Sequence, residues 1–589
     1  MFQLKWLWNC LGSYRYRYAI GLFIGGFASA MLIINPMLSQ HLIDDVIIPA
    51  NTGPLPRLLI TMMIVQLVRL SLRYFMHITL EWGSNLAMTN IRRRMYGIVQ
   101  EQDYRFHDRL RTGNLMTRMT SDLDMLRHSL SWISFQFVDA VVIFASALTF
   151  LLFVNWKLAL SLAAVTPIIL LISNRFKQRI RPRMVFLRQK LTRLSTNVTE
   201  NIDGNRVVKA FAREDYAEEQ FEKLNADYRD TAYENAYISA KYQPLLELLS
   251  QLLVIITLVL GGLFLIWGEM TPGQYMAFSS LTWALSNPLR MLGVLLADMQ
   301  RFHAAANMIM EVLDTPDGIS DKSGAAQIKD RPAGGIEFRH VGFDVNGSVI
   351  LEDINFKAEP GQTIGILGST GSGKTSLINM LLRFYEPSSG EVLLDGVNIQ
   401  DYTISSLRRY MGLAMQDVFL FSDSVAGNIA YGRPDLDREI IARRAGQADA
   451  HSFIRKMEDG YETLVGERGV GLSGGQKQRI SLARALAVSP SVLILDDTTS
   501  AVDSETEQYI QNQLRNLDFP CTKIIIAQRI TSFRGADMIL VMDKGRIVER
   551  GSHEELLNNR GFYYHIWSLQ NSSGEEGARL SENLAGGGL

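Results

Sequence analysis

Long apolar runs dominate the chain up to about position 315, and short apolar runs alternating with helical patterns take over beyond it. From Ala19 to Ile43 there is no Asp, Glu, Lys or Arg, and such a run exceeds the ~20 residues a helix needs to cross a ~30 Å hydrocarbon core. Its length, and the Asp44-Asp45 that follows in place of a small-residue cleavage pattern, separate it from a removable signal peptide. Leu158 to Asn174, Leu248 to Gly268 and Met270 to Leu289 repeat the pattern. Glu269 separates the last two, inside a Gly-Glu-Met-Thr-Pro-Gly turn. Two weaker spans, Leu58 to Leu80 with Arg69 and Arg73, and Ser129 to Asn155 with Asp139, complete the set. The pattern predicts a membrane domain over 1–315 with six helical spans, at about 19–43, 58–80, 131–155, 158–175, 246–268 and 270–292.

Basic flanks set the orientation. Lys5, Arg15 and Arg17 precede the first span, Arg92-Arg93-Arg94 follow the second, and Arg175, Lys177, Arg179, Arg181 and Arg183 follow the fourth. The N-terminus and both long connections are therefore expected on the cytoplasmic side of a cell (inner or plasma) membrane. Helical periodicity over Val185 to Glu200 and Glu214 to Lys241 carries the bundle beyond the bilayer. Ionisable residues within spans mark a cavity or a polar partner, so Arg69, Arg73 and Asp139 either line a substrate cavity, or pair within the bundle or snorkel to its edge.

Polar, Gly- and Pro-containing sequence at 316–335 reads as a linker to a second domain at 336–570. There, short strands (Thr363 to Leu367, Val492 to Leu495, Lys523 to Ala527) alternate with helical stretches, predicting an α/β domain with a mostly parallel sheet. The tail at 571–589, poor in aromatics and rich in Gly and Ser, is expected to be disordered. Composition adds little: 47% hydrophobic and 20% charged residues fit a membrane protein, and a net charge of −1 removes the basic field a nucleic-acid binder would carry. Cys10 and Cys521 are too few for a disulfide framework and too isolated for a zinc site.

Chemistry enters with Gly368-Ser369-Thr370-Gly371-Ser372-Gly373-Lys374-Thr375, which follows a predicted strand and opens a predicted helix at Ser376. The glycines let backbone N–H groups curl toward phosphate oxygens, Lys374 adds positive charge near the β- and γ-phosphates, and Thr375 offers a hydroxyl to Mg²⁺. A second apolar strand ends in Asp496-Asp497, and Asp496 at its edge is placed to hold the same ion.

Between and beyond these motifs the sequence resembles the ATP-binding-cassette family. Leu472-Ser473-Gly474-Gly475-Gln476 followed by KQRISLARAL is similar to its signature, Gln416 in MGLAMQDVFLF to its Q-loop, and Thr499-Ser500-Ala501-Val502-Asp503 to its D-loop. Six spans ahead of the cassette on one chain resemble an exporter half-transporter. FHDRLRTGNLMTRMTSDLD (106–124) and ENIDGNRVVKAFARED (200–215) resemble the loops whose short helices dock on the nucleotide domains. The resemblance covers about 1–570. It implies an ATPase coupled to transport, with a helical subdomain in the cassette and ATP and Mg²⁺ as cofactors. Thr375, Gln416 and Asp496 would be the metal ligands, and Leu472 to Gln476 would complete the partner's site in trans, with Ser500 and Asp503 at the dimer interface.

Three positions depart from the family pattern. Asp497 stands where a glutamate usually positions the attacking water; its carboxylate falls back by about 1.5 Å, and a misplacement of ~1 Å can cost ~10²-fold in rate. Gln528 replaces the switch histidine, retaining a hydrogen bond to a γ-phosphate but no cationic state. Val345 stands where an aromatic stacks on adenine, which forgoes ~1–3 kcal/mol. With the phosphate loop, Gln416 and Asp496 intact, the expectation is a site that binds ATP and hydrolyses it slowly, in one half of a heterodimer exporting small amphipathic or drug-like molecules. The alternatives are a homodimeric exporter, or a nucleotide-sensing membrane receptor or regulator.

Overall fold

The computed structural model describes residues 2–571 apart from 317, 346, 467–468 and 499–500; beyond Asn571 the expected tail lies outside the described residues. The chain forms two compact units, Met1–Gln100 with Arg111–Thr315, and Glu101–Leu110 with the sequence from Pro316 onward.

The first unit is helical. Among the described residues four helices are long and apolar enough to cross a membrane, Gly12–Ile47, Leu55–Glu101, Thr112–Val154 and Glu214–Ile266, and Trp156–Val165 is a shorter apolar one. Outward-facing Phe23, Phe27, Met63 and Leu67 present hydrocarbon to the surroundings, as a lipid-facing helix must. The first of these helices tightens to a 3-10 turn at Met31–Ile33, just ahead of Pro36, which lacks the N–H that would continue the α-helical ladder. Gly268, in the left-handed region at φ 75°, and a capping box at Thr271 and Gln274 make the turn between the expected last two spans. Buried Leu151, Leu158, Leu162, Leu253 and Phe278 pack together.

The intramembrane charges are paired within this bundle. Arg73 Nη2 donates to Asp139 Oδ1 at 3.2 Å, the Ser29 hydroxyl donates to the same oxygen, and Arg69 Nε donates to the Ala28 carbonyl at 3.2 Å. Helices Trp156–Asp203 and Glu214–Ile266, of 48 and 53 residues, run roughly 70–80 Å at ~1.5 Å per residue, far more than a bilayer. Ion pairs Arg183–Glu234 and Lys190–Asp227 join their polar parts.

In the second unit the strands are β1 (Ile336–Val345), β2 (Ser348–Ala358), β3 (Thr363–Gly368), β4 (Ser389–Leu394), β5 (Val397–Asn398), β6 (Met411–Ala414), β7 (Val492–Asp496), β8 (Thr522–Ile526), β9 (Met538–Asp543) and β10 (Arg546–Gly551). Six of them form one sheet in the order β10-β9-β3-β8-β7-β6, parallel from β9 to β6. The apolar runs of β3, β7 and β8 are buried on both faces, as a parallel sheet requires. A second, antiparallel sheet, β2-β1-β4-β5, leans on it and was not foreseen from the pattern.

Two segments outside the strands belong to this unit. The stretch 316–335 is no free linker: the Ala326 N–H donates to the Asp401 carbonyl at 2.8 Å, Asp321 accepts the Ile404 N–H at 2.7 Å, and the Ser320 carbonyl accepts Arg383 Nη2 at 2.8 Å. Its polar groups thus pair with backbone groups of the domain and with a buried cation. The other segment is the short helix Tyr104–Arg109. Asp103 caps it, accepting the Phe106 N–H at 3.0 Å; the Tyr104 ring lies 4.7 Å from that of Phe384, and the Tyr385 hydroxyl donates to Asp108 at 2.7 Å.

Arg383 is the largest fully buried side chain, 1% exposed. Its guanidinium holds the Ser320 and Tyr402 carbonyls and Glu386. Removing it strands those acceptors, so Arg383→Met should lower the unfolding free energy of the second unit by about 3 kcal/mol. Urea unfolding of the solubilised chain measures this; an unchanged midpoint would show that the buried guanidinium does not hold 316–335 in place. Arg383→Lys should recover only part of the loss, because an ammonium cannot reach three partners in a planar fork.

Candidate nucleotide site

The register of the parallel strands brings the sequence motifs to one edge. β3 runs into Gly368 and the phosphate loop, β8 ends at Ile526 two residues before Gln528, β7 ends at Asp496 before Asp497, and β6 ends at Ala414 two residues before Gln416. All four C-terminal ends are neighbours in the sheet, and such an edge is where open α/β sheets bind ligands.

The loop between β3 and the helix Lys374–Leu381 is shaped by its glycines. Gly371 and Gly373 have φ of 82° and 100°, a region other L-residues enter only with strain. A Cβ on Gly368 would lie 2.4 Å from the Met542 carbonyl oxygen, and one on Gly373 would lie 2.5 Å from Leu351. Ser369, Thr370 and Gly371 are exposed, Thr375 is exposed at the start of the helix with Ser376 half-buried behind it, and Ser372 is buried. Lys374 Nζ donates to the Gly368 and Ser369 carbonyls at 2.9 and 2.7 Å and to the Ser372 hydroxyl at 3.3 Å. Its ammonium thus stands over the loop's own oxygens. Burial lowers the Lys374 pKa while the Asp496 charge opposes that shift. Asp496 is raised above the usual carboxylate range, chiefly by burial and next by the Asp497 carboxylate, with Lys374 opposing. The two groups are therefore within electrostatic reach; phosphates beside Lys374 would relieve its penalty and a cation beside Asp496 would relieve that of the carboxylate.

Asp497 takes a left-handed backbone conformation, φ 48°, and its N–H donates to the Ile526 carbonyl at 2.9 Å. That bond ties the end of β7 to the strand that carries Gln528. Gln416 and Gln528 are exposed. Val345, 38% exposed at the end of β1, presents no ring, while the nearby Phe343 is turned inward against Tyr385 at 5.4 Å between centroids.

The signature segment is built differently. Ser473 caps the helix Gly474–Ala487: its hydroxyl accepts the Gln476 N–H at 3.3 Å and Gln476 Oε1 accepts the Ser473 N–H at 2.9 Å. Leu472 packs on the core, Gly474 is exposed, and a Cβ on Gly475 would lie 2.8 Å from the Ala501 carbonyl oxygen. The helix N-terminus is thereby left open to an anion. Asp503 caps the helix Ser504–Arg515, accepting the Thr506 N–H at 2.9 Å and its hydroxyl at 3.0 Å, and these bonds hold its carboxyl below the usual range. Ser500 and Thr499 lie outside the described residues.

The chain matches the family model "ABC transporter transmembrane region" over residues 18–289 and the model "ABC transporter" over residues 351–500. It is 32% identical over 574 residues to an ATP-dependent lipid A-core flippase of Syntrophus aciditrophicus, covering 96% of this chain and 94% of that one. It is also 32% identical over 572 residues to a putative multidrug export ATP-binding/permease protein of Bacillus subtilis, covering 95% and 97%. The chain belongs to the ABC exporter family. A bacterial Atm1-family ABC exporter with ATP bound superposes on this exporter with a TM-score of 0.78 and 26% identity, covering 95% of this chain and all of that one. It is therefore a membrane ATPase that couples ATP hydrolysis to transport, and exporters of this family work as dimers.

Sequence reasoning missed Gln478, a polar residue on the buried face of the signature helix. Its Oε1 accepts the Ala501 N–H at 3.1 Å and its Nε2 donates to the Asp497 carbonyl at 3.5 Å, so the exporter's signature helix and Asp497 share one side chain. A polar residue at a helical position flanked by buried Ile480, Ser481 and Leu482 was the available signal.

Two glycines of the phosphate loop separate steric from conformational demands. Gly371→Ala meets no atom within 4 Å and should cost about 1–2 kcal/mol of stability through its left-handed backbone, with binding of a fluorescent ATP analogue weakened no more than about 10-fold. Gly368→Ala must displace backbone and should abolish that binding. Equal effects would mean that the loop's curl, not its contact with β9, sets the site.

Proposed function

We propose that this exporter is one half of a heterodimer whose own phosphate-loop site binds Mg-ATP but hydrolyses it slowly. The observation that carries the reading is the pairing of Asp497 and Gln528 at the ends of adjacent strands β7 and β8, beside a complete phosphate loop. Gly368 to Thr375, with Ser376, would hold the phosphates. Thr375, Asp496 and Gln416 offer oxygen ligands to Mg²⁺, a hard cation that keeps few protein ligands and takes the rest of its shell from phosphates and water. When bound, the ion neutralises charge on the β- and γ-phosphates. Asp497 would orient the attacking water from too far back, and Gln528 would donate one hydrogen bond to the γ-phosphate without adding charge. Val345 leaves the adenine without a stacked ring.

The signature points the other way. Leu472, Ser473, Gly474, Gly475 and Gln476 keep a capped, open helix N-terminus that can complete a site on the partner, and Ser500 and Asp503 would lie at that interface. A second half-transporter carrying glutamate and histidine would then do most of the hydrolysis. Closure of the cassettes on ATP would pass through the segments around 106–124 and 200–215 to six spans, switching the cavity from inward- to outward-facing, a shift driven by differential ATP affinity. The N-terminus and cassette would be cytoplasmic. Relatives named as a lipid A-core flippase and a multidrug exporter support a small amphipathic or drug-like substrate.

Steady-state ATPase activity of the purified chain, alone and mixed with the candidate partner, tests this. Activity should be near zero alone, restored by the partner, and changed less than about 3-fold when Asp497→Glu and Gln528→His are introduced together into the mixture. In the chain alone the same double substitution should raise the rate by about 10²-fold. Robust hydrolysis by the unaltered chain alone would establish a working homodimer instead.

A further inference from the structure

Gln528 hangs from a stretch of backbone that the sheet does not hold. β8 ends at Ile526, and the next regular element is the 3-10 turn Ile530–Phe533. Among the described residues, the hydrogen bonds that the Gln528 carbonyl and the Ile530 N–H make across this gap go to one side chain: Gln570 Nε2 donates to the Gln528 carbonyl at 2.8 Å, and Gln570 Oε1 accepts the Ile530 N–H at 3.0 Å. One donor and one acceptor on the same amide reproduce what a neighbouring strand would supply. Ile530 is buried, so its N–H has little water to fall back on.

Gln570 itself is held at a fixed distance from the sheet. It sits at the end of the last described helix, Phe562–Asn571. The first turn of that helix is pinned to β10, where the Glu549 carboxylate accepts the Phe562 and Tyr563 N–H groups at 2.5 and 3.1 Å. Tyr563 is fully buried with its hydroxyl 2.7 Å from His553 Nδ1, and Ile566 and Trp567 pack on the core. The helix is a strut fixed at β10 and ending on the switch loop. On the other side the loop is held by Glu507, which meets the Ser532 hydroxyl at 2.5 Å and Arg529 at 3.4 Å. An open cleft of about 1090 Å³ lies here, with Gln528, Arg529 and Gln570 in its wall, so the loop has room to move if the amide lets go.

We propose that Gln570 is the positioning residue for Gln528: by clamping the backbone on both sides of Arg529 it sets the direction in which the Gln528 side chain reaches the γ-phosphate. The inference rests on the proposed role of Gln528. It makes the end of the last described helix part of the ATP-sensing machinery through the backbone of the loop that carries Gln528. Because only the γ-phosphate contact depends on it, the clamp should affect ATP and leave ADP alone.

The test uses the full-length chain in lipid nanodiscs, with Gln570→Ala, Gln570→Glu, Gln528→Ala and the double substitution Gln528→Ala plus Gln570→Ala. Two readouts are needed: displacement of a fluorescent nucleotide by Mg-ATPγS and by Mg-ADP, and amide exchange of the peptide covering 527–533. Gln570→Ala should weaken Mg-ATPγS by about 10-fold, the equivalent of one lost hydrogen bond to the γ-phosphate, shift Mg-ADP less than 2-fold, and speed exchange by about 10-fold. Gln570→Glu keeps the acceptor but sets a carboxylate oxygen against the Gln528 carbonyl, so it should behave like the alanine variant. In the double substitution, loss of Gln570 should add nothing to the loss of Gln528. Faster exchange with unchanged ATPγS affinity, equal weakening of ATPγS and ADP, or additive effects in the double substitution would each overturn the positioning role. If Gln528→Ala itself leaves the ATPγS/ADP ratio as it was, the reading of Gln528 fails and this inference fails with it. A collapsed ratio in Gln528→Ala beside a normal one in Gln570→Ala removes this inference only.

Discussion

Parallel pairing of β3, β8, β7 and β6 is the constraint on which the nucleotide site depends. Each strand is short and apolar and buried on both faces or nearly so, so a slip along the sheet would draw a flanking polar residue such as Asp496 into the interior. The register partners Ile366 with Ile526, and Asp496 with Ile526, fix the strand ends to within two residues of one another. The groups that follow those ends inherit that precision at no further cost in chain entropy. The added bond from the Asp497 N–H to the Ile526 carbonyl carries the register one residue past β7, into Asp497.

Local motifs in this chain were legible because their chemistry is contiguous. Eight residues define the phosphate loop, and the conformations of Gly371 and Gly373 are written in their lack of Cβ. The strands around them were legible from apolar runs bounded by polar residues. What the pattern could not give was contact between distant segments. Nothing in the alternation of β1, β2 and β4 says that they pair with each other instead of extending the parallel sheet. The stretch 316–335 has the composition of a linker, and what fastens it down are partners far away in sequence, the buried Arg383 together with Asp401 and Ile404. Tyr104 and Phe384 lie 280 residues apart in sequence, and Gln478 and Gln570 act through backbone groups that carry no sequence signature at all.

The charges among the apolar helices illustrate the same limit. Sequence placed Arg69, Arg73 and Asp139 in two spans and left two readings open. In the structure Asp139 is shared by Arg73 and Ser29, and Arg69 Nε donates to the Ala28 carbonyl. A carboxylate with two donors is much less costly in hydrocarbon than a free one. The arrangement therefore ties the first three helical segments together through polar contacts that lipid cannot compete for.

Gln478 links features that the motifs present as separate. The signature helix begins at Gly474 with a capped but open N-terminus, and one turn later Gln478 is bonded to the Ala501 N–H and the Asp497 carbonyl. A buried side chain bonded to the Ala501 N–H and the Asp497 carbonyl couples the helix to both groups, because buried amides have no water to exchange partners with. In the proposed dimer the signature faces the partner's nucleotide while Asp497 faces the chain's own. In that dimer, engagement of the partner's ATP would then bear on the position of Asp497 through Gln478. If the proposed slow hydrolysis at Asp497 and Gln528 holds, the site would still report its occupancy to the other site along that path, which would be a physical reason for such a cassette to keep its binding loop and its signature intact.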